Sequence, residues 1–166
     1  FGLGTLNMRA GSKGIAPDQL PQIVDQTHRR GVKVYITLNT LVYDNEMDLV
    51  ESLLERIARA KVDAVICWDP AVIELCRQFD MTIHVSTQAN ISNLRAVQFY
   101  EKLGARCVVL ARELTLEQIE AIKSQTTLKI EAFVHGAMCV SISGRCYLSQ
   151  FLSCKSANRG ECLQPC

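Results

Sequence analysis

One unit recurs along residues 1–135 and leaves few folds open: a short β-branched run, a polar residue, then an amphipathic helix. VKVYITLN (32–39) reads as a strand ending at Asn39, and the turn at Tyr43-Asp44-Asn45 leads into a helix striped by Met47, Val50, Leu53, Leu54 and Ile57. DAVICWDP (63–70) is the next strand, followed by a short helix carrying Val72, Ile73 and Cys76. MTIHVSTQAN (81–90) precedes a helix with Ala96, Val97, Tyr100 and Leu103 that stops at Gly104. ARCVVLARE (105–113) precedes a helix opened by the capping-box pattern Thr115-x-x-Gln118, and LKIEAFVHG (128–136) is the last strand. Upstream, Phe1–Leu3 reads as a strand's tail and Asp18–Arg30 as a helix ended by Gly31.

Apolar strands separated by helices predict a parallel sheet covered on both faces. The count is about five and a half βα units, too few to close an eight-stranded barrel. An incomplete (β/α) TIM-barrel-like fold fits better than a doubly wound sheet, although periodicity alone does not separate the two. From Gly136 the helical periodicity gives way to Gly, Ser, Arg and Cys. The chain thus divides into a scaffold, 1–135, and an irregular cysteine-rich segment, 136–166. It opens on Phe1 without a signal-like segment and stops on Cys166, so it is expected to be an internal piece of a longer, cytoplasmic protein. An unclosed barrel leaves sheet edges through which such a piece is expected to oligomerise.

In parallel α/β folds, function collects at the carboxyl ends of the strands. Those positions are Asn39, Asp69, Ser86, Gln88, Asn90, Arg112, Glu113 and His135. Asn39, Asp69, Gln88, Asn90 and Arg112 are candidate ligand-binding residues; His135, Glu113 and Ser86 are candidate catalytic groups. A blander reading stands beside this one: Asn39 and Asp69 suit helix capping, and Arg112-Glu113 suits a surface ion pair. His84 and Glu131 lie within strands, facing inward or outward by parity. His28 is expected to be solvated, and His84 fits a core histidine. No G-x-S-x-G, H-E-x-x-H or G-x-x-x-x-G-K-[ST] motif is present.

Eight cysteines fall in two groups. Cys67, Cys76 and Cys107 sit in apolar runs and read as buried, inert thiols. Cys139, Cys146, Cys162 and Cys166 are spaced C-x6-C-x15-C-x3-C, with Cys154 as a spare. With no secretory signal, such clustering favours metal ligation over disulfides and leaves an iron–sulfur cluster and zinc as equal alternatives. Gly136, Gly144 and Gly160 would let backbone approach a cluster, and Arg145 and Arg159 could offset its charge. The formal charge of +1 and 6% aromatic content provide neither a basic field nor a stacking platform for nucleic acid. No apolar run approaches the length of a membrane span.

LNMRA (6–10), LNTLV (38–42), HVSTQAN (84–90), LARELTLEQI (110–119) and above all EAFVHGAMCVSISGRCYLSQFLSCKSANRGECLQPC (131–166) resemble the collagenase-like peptidase family U32, in collinear order along the chain. The resemblance implies two activities. The family is named for proteolysis, including collagen degradation. Several members instead look like hydroxylation factors, oxygen-independent or prephenate-linked, acting on a tRNA wobble uridine, a ribosomal RNA cytidine or a ubiquinone precursor. Those members carry a [4Fe–4S] cluster, and by residue-for-residue carry-over Cys139, Cys146, Cys162 and Cys166 would be its ligands. Cys166 matches the RNA-modifying branch. The expectation is therefore an iron–sulfur enzyme hydroxylating a pyrimidine in tRNA or rRNA, with a small carboxylate co-substrate such as prephenate anchored by Arg112. The alternatives are a peptidase and a zinc-stapled, non-enzymatic module.

Overall fold

A computed structural model describes residues 1–8, 10 and 14–166; Arg9, within the LNMRA segment, lies outside them. In chain order the elements are α1 (Leu20–His28), β1 (Tyr35–Thr37), α2 (Met47–Arg59), β2 (Ala64–Cys67), α3 (Pro70–Gln78), β3 (Ile83–Val85), α4 (Leu94–Lys102), β4 (Ala105–Val109), α5 (Leu116–Lys123), β5 (Lys129–Glu131) and α6 (Leu148–Ser153). Each expected strand is present, but its hydrogen-bonded part is shorter than its apolar run.

All pairings are parallel, and the strand order is β1-β2-β3-β4-β5. A doubly wound sheet reverses direction at a switch point; this one does not. With right-handed crossovers, a monotonic order puts every helix on the same face, which is the wall of a (β/α) barrel left open. Phe1–Leu3 extends the sheet beside β1: Gly2 bridges Thr37, and the Thr37 N–H donates to the Phe1 carbonyl at 2.8 Å.

The core lies between sheet and helices. Ile36, Val65, Ile83, Val85 and Val108 pack there with Leu54 and Ile57 of α2, Val72 and Ile73 of α3, Val97 of α4 and Ile122 of α5. The opposite face is different in kind. Tyr35, Thr37, Ile66, His84, Val109, Lys129 and Glu131 line open cavities there. Parity thus separates two sets that the apolar appearance of the runs had merged, and the sheet is not covered by helices on both sides.

Local signals behave as expected. Asp69 caps α3 by accepting from the Ala71 N–H at 3.0 Å, and Asn93 caps α4 by accepting from Ala96 at 2.9 Å. The Thr115–Gln118 capping box has both of its bonds. Gly31 (φ +70°) and Gly104 (φ +94°) end their segments in the left-handed region that glycine enters most readily.

Residues 136–166 fold back over the carboxyl ends of the strands. Asn90 Nδ2 donates to the Ser143 carbonyl and Arg112 Nη2 to the Ser141 carbonyl, both at 2.9 Å. Arg159 reaches the Glu46 carboxylate and the Leu41 carbonyl, and its guanidinium stands 4.5 Å over the Tyr43 ring. Gly160 (φ +84°) presses on the turn at Asn7 so closely that a Cβ would lie 2.2 Å from the Asn7 carbonyl oxygen.

Candidate active site

The carboxyl ends of the strands and the returning segment enclose a cavity of about 600 Å³. Of the eight rim residues named from sequence, Asn39, Ser86, Gln88, Arg112 and His135 line it. Three of these form a buried polar chain. Asn39 Nδ2 donates to Ser86 Oγ at 3.2 Å, and Ser86 Oγ donates to Gln88 Oε1 at 3.4 Å. Asn39 is fixed further, accepting from Met8 N–H on Oδ1 and from Trp68 Nε1 on its carbonyl. Asn90, in the left-handed region at φ 52°, turns its amide away to bond the Gln88 and Ser143 carbonyls, so it fastens the wall. Asp69 is a helix cap, as the blander reading had it. Glu113 is exposed and does not line the cavity.

Arg112 is the charged group of most interest. One Nη2 bond goes to Ser141, while its Nε is buried with no hydrogen-bond partner. A buried, unanswered N–H costs about 1–3 kcal/mol, so an anion supplied by a ligand would recover that deficit. His135 is exposed at the mouth, beside Phe133, Val134 and Met138. Ser143 is buried and also lines the cavity.

Sequence reasoning missed Glu131, Phe133 and Thr37 as lining residues, yet parity could have found them. Thr37 and Asn39, His84 and Ser86, Cys107 and Val109, and Glu131 and Phe133 are each two apart along the apolar runs, so each pair starts from one face even though Asn39, Ser86 and Phe133 lie just past the paired ends of β1, β3 and β5. His84 and Cys107 are both buried. His84 Nδ1 has no hydrogen-bond partner, although Glu131 Oε1 lies 3.9 Å away; burial lowers its pKa, with Glu131 opposing. Cys107 Sγ lies 3.5 Å from Glu131 Oε1, and burial, reinforced by that carboxylate, pushes the thiol up to about 12. Cys107 is therefore buried as expected but packs on the cavity side of the sheet, outside the helix-facing core. Cys67 fits its inert reading: contact with Cys76 and burial raise its pKa well above the usual thiol value. His28 is exposed as expected, with its Nε2 2.8 Å from Asp63 Oδ2.

The five cysteines of the returning segment are free thiols; Cys139, Cys154, Cys162 and Cys166 are exposed and Cys146 is half-buried. They sit in a braced frame. Cys146 N–H donates to Asn158 Oδ1 at 3.0 Å, and Leu163 N–H donates to Ser149 Oγ at 3.1 Å. The cysteine sulfurs are not gathered: among the described residues no three of them lie within ligating reach of one another, so it is the donor type, soft thiolate, that suits a thiolate-held metal centre.

Among the described residues, no helix is long and apolar enough to cross a membrane. The sequence model of peptidase family U32 matches residues 1–166. An uncharacterized protease of Methanocaldococcus jannaschii is 44% identical over 170 residues, covering 99% of this chain and 42% of that protein. The tRNA hydroxylation protein P1 of Bacillus subtilis is 37% identical over 161 residues, covering 96% of this chain and 38% of its own length. Proteins named collagenase (Porphyromonas gingivalis) and 23S rRNA 5-hydroxycytidine C2501 synthase (Escherichia coli) match at 38% and 40% identity. This chain thus spans less than half the length of these relatives. The solved structure of the U32 peptidase Mk0906 superposes with a TM-score of 0.62 at 19% identity, covering 79% of this chain and 58% of that one, and so shares its fold. With the family's model matching from end to end, the chain belongs to peptidase family U32.

Proposed function

We propose that this chain carries the cluster-binding segment and part of the active site of an iron–sulfur enzyme that hydroxylates a pyrimidine base in tRNA or rRNA, with a small carboxylate as co-substrate. The observation that carries the reading is the character of the cavity. It pairs an arginine bearing a buried, unpartnered N–H with neutral amides and a hydroxyl, and adjoins a segment with five free thiols. The hydroxylation-named relatives support the reaction class.

In this reading Arg112 takes the co-substrate carboxylate, using Nε while Nη2 stays on Ser141. The Asn39–Ser86–Gln88 chain presents hydrogen-bonding groups of fixed orientation to the remaining polar atoms. Phe133, exposed at the mouth, offers a ring for an extruded base to stack on. His135 is placed to hold or release a proton there. Cys139, Cys146, Cys162 and Cys166 hold the cluster, which supplies one-electron chemistry when bound. Residues 1–135 act as scaffold and 136–166 as the cluster-binding unit. The +1 charge gives little phosphate affinity, so RNA contact rests largely on the rest of the protein.

A peptidase is the second reading, favoured by the family's name and by the protease- and collagenase-named relatives. Hydrolysis needs an activated nucleophile. Ser86 Oγ is instead engaged by two amides, and among the described residues no histidine is hydrogen-bonded to a serine. The full-length protein, purified without oxygen, tests both readings. Four irons and four sulfides per chain that fall in Cys139→Ser, with a hydroxyl missing from RNA of a deletion strain, are expected. Zinc alone, or activity on collagen peptides that Ser86→Ala or Ser143→Ala abolishes, overturns the proposal.

A further inference from the structure

A second ligand set lies outside the cysteine-rich segment. His84 of β3, Cys107 of β4 and Glu131 of β5 stand on the cavity face of three adjacent strands, with one ligand atom from each all within 4.8 Å of one another. It is the one such group of three among the described residues. The geometry points to a site for a single borderline divalent cation of the zinc class, held by His84 Nδ1, Cys107 Sγ and a Glu131 carboxylate oxygen. This inference is independent of the cluster and of RNA.

The local fold assembles the group. Between Ile83 and His84 the β3–β4 register slips, so Ile83 pairs with Ala105 but His84 pairs with Cys107. Without that irregularity His84 would oppose Arg106, and the imidazole and thiol would not sit side by side. Glu131 completes the triangle from β5, 3.5 Å from the thiol and 3.9 Å from Nδ1. His84 is 7% exposed, and its Nδ1 is buried without a hydrogen bond while aimed at the other two atoms. A structural histidine satisfies that nitrogen; this one leaves it as a lone pair or an unanswered donor.

The donor chemistry fits. Zinc takes nitrogen, sulfur and oxygen at about 2.0–2.3 Å, which a small contraction of the triangle would reach, leaving a fourth position for water. Binding breaks the Cys107 S–H bond and releases its proton to solvent, while neutral His84 contributes its lone pair. Thiolate and carboxylate then offset the two positive charges of the ion. Lys33 and Lys129, which stand near His84, therefore face a neutral site and not a cation.

The test uses the full-length protein stripped of metal without oxygen and titrated with cadmium-113, read by NMR. The expected spectrum has a resonance of mixed nitrogen, sulfur and oxygen coordination beside any thiolate-rich one. It survives Cys139→Ser, disappears in Cys107→Ser, and in Glu131→Gln needs about tenfold or more higher cadmium to saturate. Absence of that resonance from the wild type, or its survival in Cys107→Ser, overturns the site. Zinc-soaked crystals of the wild type guard against a variant that merely unfolds. An anomalous peak within bonding distance of His84 Nδ1 and Cys107 Sγ supports the site, and no peak there refutes it.

Discussion

Replacing Arg159 by alanine should unlatch the cysteine-rich segment while leaving the sheet intact. The Arg159 and Glu46 side chains are only 19% and 20% exposed. The guanidinium makes two bonds to that carboxylate, one to the Leu41 carbonyl and a stacking contact with Tyr43. Its loss leaves the Glu46 carboxylate with the Tyr43 N–H as its remaining partner at 2.9 Å. Breaking a largely buried pair in this way costs about 3 kcal/mol, the low end of the range because some water still reaches it. At 1.4 kcal/mol per decade, the open segment becomes roughly 100-fold more populated. Hydrogen exchange reads this directly: amides of Ser149–Leu163 should exchange about 100-fold faster, with β2, β3 and β4 unchanged. An equal rise across the sheet would mean global destabilisation, and a change under about twofold would mean the latch contributes nothing; either result refutes the reasoning. The same pair sets an acid limit. Hydrogen bonding from Arg159 holds the Glu46 carboxyl below its ordinary value of 4.5. Its contribution to docking is therefore present above that pH and lost as pH falls through the lowered value, and pepsin cleavage of the segment should appear in that window.

Three further changes separate roles. Gly160→Ala places a methyl against the Asn7 carbonyl at a positive φ and should cost more than about 2 kcal/mol, seen as a lower melting temperature and loss of bound metal. Asp69→Ala should cost about 1 kcal/mol through its lost cap, measured by urea unfolding, with the proposed activity retained; loss of that activity at unchanged stability would return Asp69 to the site. Ser86→Ala strands the buried Asn39 amide and should cost about 1–3 kcal/mol by the same assay.

Much of the fold was legible because its signals are local. The Thr115–Gln118 box, the glycine stops and the α2 stripe of Val50, Leu53, Leu54 and Ile57 need no tertiary information. The cavity was legible in part, since Asn39, Ser86, Gln88, Arg112 and His135 follow strands whose carboxyl ends meet. Glu113 could not be separated from Arg112 by adjacency: one side chain turns into the cavity and its neighbour turns to solvent. The His84–Cys107–Glu131 group was hidden for another reason. A register slip between two strands leaves no trace in either strand's own sequence.

The strand order carries a consequence for how the molecule is made. Every strand pairs with the one before it, so each βα unit can be laid onto its predecessor as the chain leaves the ribosome, with little loop entropy to overcome. The Arg159 contacts with Glu46 and Leu41 span 113 and 118 residues and cannot form until the sheet already stands. The cysteines are thus delivered late, to a finished rim, and the interval before Arg159 closes is when the proposed cluster would be loaded.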